Sequence, residues 1–406
     1  MKNNLPVKTA VPSPRKIKIR VVGLGGGGAA IVSEMSAILK GVSFTAADTD
    51  IKTFRRIRRD VKPFHFGEKI TNGFGTGLNP DLAQKAALDE KEKIARLFKD
   101  CDLAILVGCL GGGVASGAGP IFAQLASEQK AITIGIFTLP FSFEGDKKIR
   151  LAKKAAAALT EKLSGMIAVP NERIFLLVDK KTALKKSFSL VNQTFAFWIN
   201  DLLQVVARPG LINIDFADLR AILEKQGKRI FFGQAVSQGP LRAEEIAKNI
   251  FQSPFFDGPP KNVKKILFNI TGGPDLGIKE VETISNAIAG LNPKAKIIFG
   301  ISEAPSCKGK IRIILLAVSD DENNDNNEEP GKVLAKNQAA GPEKQNKGKA
   351  KRQIKKQNKL AESGEKKPMV RRSAIEVKKA DEEEKDREWA PEAEWEVPTF
   401  LRNKSE

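Results

Sequence analysis

Val107-Gly-Cys-Leu-Gly-Gly-Gly-Val-Ala-Ser-Gly-Ala-Gly-Pro120 is the stretch whose reading decides the fold. The apolar run 103–108 that leads into it reads as a buried strand, and 115–128 behind it reads as a helix. Between them the glycines leave room for a ligand to approach the backbone, and free N–H groups ahead of a helix N-terminus suit a phosphate. A plain strand-to-helix turn with no ligand has the same composition, so one loop decides little. This chain has three.

Upstream, residues 17–22 alternate apolar and charged side chains as a strand does and run into Gly23-Leu-Gly-Gly-Gly-Gly-Ala-Ala30, a helix over 31–39 and a strand over 42–47 that ends in Asp48-Thr-Asp50. Strand, glycine turn, helix, strand, acid is the Rossmann order, which keeps a dinucleotide-binding oxidoreductase open as a reading. A short strand at 63–67 precedes the second glycine loop, Asn72-Gly-Phe-Gly-Thr-Gly-Leu-Asn-Pro80, and helical periodicity covers 81–100. Downstream come a β-branched strand over 131–139, the segment Pro140-Phe-Ser-Phe-Glu-Gly145, a basic helix over 146–162 and a strand over 174–178. Repeated strand-then-helix units with glycines at the strand ends predict an α/β layer with a parallel sheet, its ligand crevice along that edge. The long apolar helix 187–207 is too hydrophobic for a surface and belongs between two domains. Strands at 230–235, 265–271, 295–301 and 310–317 with helices at 243–251 and 279–289 predict a smaller α+β second domain.

Lys and Arg number 67 against 48 Asp and Glu, a net charge of +19. Beyond Asp321 the two signs nearly cancel, so the surplus sits in the body; without a nucleic-acid motif it reads as a solvated basic surface, and no specific nucleic-acid partner is expected. Cys101, Cys109 and Cys307 are unclustered and read as reduced thiols. His65 is the only histidine, which removes Ser-His-Asp, Cys-His and multi-histidine zinc chemistry. No apolar run reaches the length of a transmembrane segment and no signal-peptide core opens the chain, so a cytoplasmic protein is expected. Residues 1–14 read as a flexible arm and 319–390 as a disordered linker of alternating charge blocks. The linker ends in Trp395-Glu-Val-Pro-Thr-Phe-Leu-Arg402, a candidate docking peptide.

Four segments in order, Pro140-Phe-Ser-Phe-Glu-Gly145, Arg208-Pro-Gly-Leu-Ile-Asn-Ile-Asp-Phe-Ala-Asp218, Asn269-Ile-Thr-Gly-Gly-Pro-Asp275 and Val397-Pro-Thr-Phe-Leu-Arg402, give the chain a specific resemblance to the FtsZ family of bacterial tubulin-like cell-division GTPases. It runs from about residue 17 to 318 and resumes at the last dozen residues. The resemblance implies a Rossmann-like GTP-binding domain (15–186), a central helix (187–210), a C-terminal activation domain (211–318), a linker (319–390) and a partner-binding peptide (391–406). It implies GTP or GDP with Mg²⁺, no dedicated protein metal site, and a homopolymer that forms the division ring at mid-cell. Gly25, Gly26, Gly27, Gly28, Gly111, Gly112, Gly113, Ser116 and Gly117 match the family's phosphate cradle, with Gly75 and Gly77 near the γ-phosphate. Glu144 and Asn171 match ribose contacts, and Lys148 stands where the family usually has arginine. Phe188 matches the ring stacked on guanine and Asn192 the amide that reads the base edge. Asn213, Asp215 and Asp218 match the loop that a second subunit lays over the nucleotide to orient the attacking water. Val397, Pro398, Phe400, Leu401 and Arg402 match the contact with membrane-tethering division proteins.

Asp215 and Asp218, spaced i, i+3, share one face of a helix start and are equally what an N-cap requires. The family signature reads G-G-G-T-G-T-G where this chain has Val114 and Ala115 in place of a hydroxyl and a glycine. Ala29 and Ala30 replace a glycine and a guanine-contacting asparagine, and Asp48 replaces an asparagine. These departures keep a second reading open, a nucleotide-binding filament scaffold with little or no hydrolysis.

Overall fold

The computed structural model describes residues 15–320 apart from 180, 208, 209, 225, 254 and 257. The expected arm and terminal peptide, the linker beyond Asp320, and Arg208 and Pro209 of the longest motif lie outside the described residues, while Ser319 and Asp320, expected in the linker, end the last strand instead.

Alternation of buried side chains to both faces organises the first half. Strands β1 (Ile19–Leu24), β2 (Ser43–Asp48), β3 (Val61–His65), β4 (Leu103–Cys109), β5 (Ile132–Leu139) and β6 (Gly165–Pro170) are all parallel, in the order β3-β2-β1-β4-β5-β6. Along β4 the side chains of Ile105 and Val107 enter one core while Ala104 and Leu106 enter another. A parallel sheet buried on both faces needs helices on both. They are α1 (Gly25–Ile38), α2 (Glu68–Thr71), α3 (Pro80–Asp89), α4 (Lys91–Leu97), α5 (Gly113–Gly117), α6 (Gly119–Glu128), α7 (Asp146–Thr160) and α8 (Leu184–Ala207). The edge strand β3 carries Pro63, which removes one donor from the ladder, as suits an edge.

The sheet continues into the second half without a break. A single parallel register pair, Met166 with Arg229, joins β6 to β7 (Lys228–Gln238). Beyond it lie β10 (Lys310–Asp320), antiparallel to β7, then β8 (Val263–Gly272) and β9 (Lys296–Glu303), making ten strands in all. Helices α9 (Phe216–Ile222), α10 (Arg242–Asn249) and α11 (Ile278–Ala289) complete this half. A separate core of Ile246, Ile266, Phe268, Ile284 and Ile313 lies here. The other face of β10, through Ile314 and Leu316, shares a core with Val21 of β1 and with α8. Val191, Phe195, Trp198, Ile199 and Leu202 line the buried side of α8 at helical spacing. Trp198 stacks on Phe232 of β7 at 5.1 Å and meets Phe255 edge-on at 5.0 Å, so this helix ties the two halves together.

Three sequence expectations are corrected. Residues 174–178 are not a strand: Asn171–Leu176 is a 3₁₀ turn, and the strand lies earlier, at β6. Gly165 marks how closely β6 runs beside β7, because a Cβ there would fall 2.3 Å from Ile230 Cδ1 and 2.6 Å from its Cγ1, so that Ile230 would have to shift. The helix expected over 115–128 is two, with α5 set apart so that a Cβ on Gly117 would lie 2.0 Å from the Pro80 carbonyl oxygen of α3. The helical stretch 81–100 likewise divides, at Glu90, into α3 and α4.

Candidate functional site

Each of the first two glycine-bearing strand ends in the parallel sheet opens directly into a helix. After β1, Gly25 takes a left-handed φ of +72° and starts α1, which has no side-chain cap and no acidic residue in its first turn. After β4, α5 begins in the same uncapped state behind Gly112. The leading N–H groups of a helix have no partner within it and carry the positive end of its dipole. Gly26 and Gly27 leave theirs open to solvent. The third loop joins α2 to α3, with Gly75 and Gly77 at φ of +79° and +57°. Asn79 closes this loop by accepting from the N–H groups of Asp81 and Leu82 at 3.0 and 3.2 Å, which fixes the start of α3.

All three loops converge, and the glycines are what permits it. A Cβ on Gly25 would come within 3.2 Å of Val114 Cβ, one on Gly27 within 2.5 Å of Cys109 Sγ, and one on Gly113 within 2.1 Å of Thr76 Oγ1. One on Gly75 would lie 3.2 Å from Asp50 Cβ. The hydroxyl of Ser116 accepts from the Gly111 N–H at 2.9 Å and is buried, so it holds the loop's shape. The floor is neutral, because burial pushes the Cys109 thiol up and keeps it protonated. The result is a concave surface that presents the uncapped starts of α1 and α5 with their leading N–H donors, and whose walls a single added methyl would fill. The chemistry of these donors fits the phosphates of a nucleotide.

Beside the cradle, Lys148 on α7 packs its stem against Gly111, a Cβ on which would meet Lys148 Cγ at 3.2 Å. Its Nζ donates to Glu144 Oε2 at 2.6 Å, and Glu144 Oε1 accepts from the Phe141 N–H at 2.8 Å. Asn171 opens the turn whose next residue, Glu172, accepts from the Ser142 N–H. Phe188, on the first turn of α8, meets Phe141 edge-on at 6.2 Å, and Asn192 is buried one turn further along. The residues expected for ribose and base therefore gather on one side of the cradle. Sequence reasoning gave Thr76 and Cys109 no part in the site although both lie within the glycine loops, and read Asp50 only as the acid of the Rossmann order; its approach to Gly75 is tertiary.

The departures from the family pattern have different consequences. Val114 and Ala115 are buried beneath the cradle, against Gly25 and Gly108. Ala30 is exposed on α1. Asp48 accepts from Thr49 N–H at 2.7 Å, Asp50 N–H at 3.2 Å and the Thr53 hydroxyl at 2.7 Å, yet burial still raises its pKa above the ordinary carboxylate value.

Asn213, Asp215 and Asp218 lie elsewhere. Ile212 forms an antiparallel bridge with Ile301 of β9, the far edge strand, six strands along the sheet from β4. Adjacent strands sit about 4.8 Å apart, so the separation is roughly 29 Å, and twist of about 20–25° per strand turns this edge well away from the cradle. Asn213 Oδ1 accepts from the Gly210 N–H. Asp215 caps α9: its Oδ1 accepts from Asp218 N–H at 2.8 Å while Asp218 Oδ2 accepts from Asp215 N–H at 3.0 Å. The two carboxylates share one helix start and are reciprocally bonded there. The fold brings the three glycine loops together and does not bring this loop to them.

Family models match both halves of the chain. Residues 18–179 match the GTPase domain of the Tubulin/FtsZ family, and 229–319 match the C-terminal domain of the FtsZ family. The cell division protein FtsZ of Caulobacter vibrioides is 32% identical over 343 residues, which cover 83% of this chain and 67% of that protein. The chain belongs to the FtsZ family. Among solved structures, an empty FtsZ dimer from M. jannaschii superposes with a TM-score of 0.65 at 28% identity, covering 75% of this chain and 89% of that one. CetZ2 from Haloferax volcanii, solved as a GTPγS-bound protofilament, shares the fold at a TM-score of 0.63 and 18% identity, over 74% of this chain and 92% of its own. In this FtsZ-family chain the GTPase-domain match holds the cradle, and the FtsZ C-terminal match begins after the Asn213–Asp218 segment and holds β9, against which that segment is pinned.

Proposed function

We propose that this protein binds GTP in the glycine cradle, polymerises head to tail, and hydrolyses GTP at each junction between successive copies. Gly25–Gly28 and Gly111–Gly113 hold the phosphates with backbone N–H groups, Gly75 and Gly77 border the terminal one, Glu144, Lys148 and Asn171 face the ribose, and Phe188 and Asn192 the guanine. Asn213, Asp215 and Asp218 of the next copy close the site and orient the attacking water. Phosphoryl transfer needs positioning and charge stabilisation more than covalent chemistry, so a chain with one histidine is adequately equipped. Among the described residues no cluster of three or more His, Cys, Asp or Glu could cage a metal. A magnesium ion, neutralising phosphate charge, would be carried mainly by the nucleotide itself.

One observation carries this reading: cradle and aspartate loop are both built, and they sit at opposite reaches of one sheet. Each is flanked by exposed apolar side chains, Phe74 (79% exposed) and Leu78 by the cradle, Leu211 (71%) and Ile212 by the aspartates. Two different patches on one molecule make a heterologous contact, which propagates as a filament. In this reading residues 15–186 are the GTP-binding domain, 187–210 the central helix and 211–318 the activation domain, and the filament assembles in the cytoplasm at the division site, recruited through Val397, Pro398, Phe400, Leu401 and Arg402.

Phosphate release measured against protein concentration tests the proposal, with ATP as control and sedimentation in GTP and GDP alongside. The rate per molecule should rise steeply with concentration, and GTP alone should pellet the protein. Release linear in concentration down to zero excludes a shared site. The scaffold reading draws support from the fact that Asp215 and Asp218 already cap α9; in that case Asp218→Ala leaves phosphate release unchanged.

A further inference from the structure

A basic feature adjoins the cradle and shares Gly26 with it, but its cations have no part in the function proposed above. Between the first turns of α1 and the 3₁₀ turn Ile51–Arg56 lies an open cavity of about 550 Å³, lined by Gly26, Ala30, Asp50, Lys52, Arg55 and Arg56 among others. Arg58, just beyond, pairs with Asp60, but Lys52, Arg55 and Arg56 have no carboxylate partner among the described residues. Asp50 is the one acid in the lining, and its Oδ1 already accepts from the Lys52 N–H at 2.8 Å to cap the turn. Three cations against one carboxylate in the lining of a concave wall concentrate anions.

The cavity is continuous with the cradle at two points. Gly26 belongs to both, with its backbone open to solvent at the start of α1. Asp50 abuts Gly75 of the second glycine loop, and the Ile51 N–H donates to the Gly73 carbonyl at 3.2 Å. The opening therefore runs from Ala30 on α1 to Asp50, where it borders Gly75, which with Gly77 is expected to meet the terminal phosphate. In a filament the next copy covers that end, so inorganic phosphate formed there has no route along the filament axis. A lateral exit is required, and this cavity borders it with unpaired cations.

We propose that the cavity is a transit site for the product, inorganic phosphate, which passes from the cradle at Gly26 and is held by Lys52, Arg55 and Arg56 before reaching solvent. The inference rests on the reading that GTP is hydrolysed at a covered junction. Guanidinium groups match phosphate with paired N–H donors, and the lysine adds a point charge. The space is far larger than one phosphate, so the site holds its ligand hydrated and weakly, as a transit site must. It also gives a local use to part of the basic surplus of the body.

Titrating inorganic phosphate into the full-length, GDP-loaded protein, followed by ³¹P line broadening, tests this with wild type and a Lys52→Gln/Arg55→Gln/Arg56→Gln variant. Wild type should bind phosphate saturably while GDP stays bound, the variant about tenfold or more weakly, with GDP affinity kept within about twofold. Equal phosphate binding in both proteins, no saturable binding, or phosphate that binds only by displacing GDP overturns the proposal. If the triple variant does not fold, Arg55→Gln and Arg56→Gln singly should each weaken phosphate binding, and no effect from either overturns it as well. Failure of the underlying reading is visible separately, as absence of GDP binding in wild type or as turnover that ignores protein concentration.

Discussion

Gly27 shows how much of the site depends on one missing methyl group. Alanine there drives its Cβ to 2.5 Å from Cys109 Sγ and 3.1 Å from Cys109 Cβ, at the point where the backbone faces a phosphate. Gly27→Ala should weaken GTP binding tenfold or more, about 1.4 kcal/mol per decade, as read by fluorescence titration; removing the sulfur as well, in Gly27→Ala/Cys109→Ala, should restore part of the loss. Asp48 carries a different prediction. Because burial raises its pKa in the folded protein, the native state holds this proton more tightly than the unfolded chain does. Stability from this residue is therefore highest in acid and declines as pH rises from the ordinary carboxylate value through the raised one. Asp48→Asn cannot ionise and can still accept from the Thr49 and Asp50 N–H groups. Urea midpoints should thus show the variant gaining on wild type as pH rises from about 4 to about 7, and a gap that is constant over this range contradicts the assignment.

Among the elements, α9 and α8 separate structural from chemical roles. Asp215 and Asp218 stabilise the start of α9, and loss of such a cap costs about 0.5–2 kcal/mol. Asparagine keeps an acceptor oxygen but removes the charge, so Asp218→Asn should leave the melting temperature nearly unchanged while phosphate release falls sharply; equal loss of both indicates a cap and nothing more. Trp198 on α8 packs against Phe195, Phe232 and Phe255 across the seam between the halves, and Trp198→Ala should cost about 3–5 kcal/mol in urea denaturation. Much of this was legible beforehand. β4 is a continuous apolar run followed by glycines, β5 is a β-branched run followed by Pro140, and α8 is a long apolar helix whose sequence-based start, 187, falls three residues inside the observed Leu184. Residues 174–178 were not legible, because a short apolar run looks alike in a strand and in a packed turn, and the close approach of Gly165 to Ile230, which marks β6 beside β7, joins residues far apart in sequence. The three glycine loops could be found by composition, but that they touch through Thr76, Cys109 and Asp50 is a tertiary fact that spacing cannot encode.

At the scale of the molecule, one sheet of ten strands carries a phosphate cradle near one end and a pair of aspartates pinned to the other. Folding alone cannot unite them, since rigid strands lie between; a second copy can. That division of labour explains how a chain with a single histidine is equipped for hydrolysis, and why its assembly and its chemistry should rise and fall together. Mixing two proteins tests it most directly, at a GTP concentration that fills the wild-type cradle and not the variant one: one with Asp215→Ala/Asp218→Ala and an intact cradle, the other with Gly27→Ala and an intact aspartate loop. Each alone should release little phosphate, and an equal mixture should recover up to about a quarter of wild-type turnover, the share of junctions in which a good cradle meets a good loop. No recovery on mixing, with both proteins entering the same filaments, would contradict a reaction centre divided between neighbouring copies.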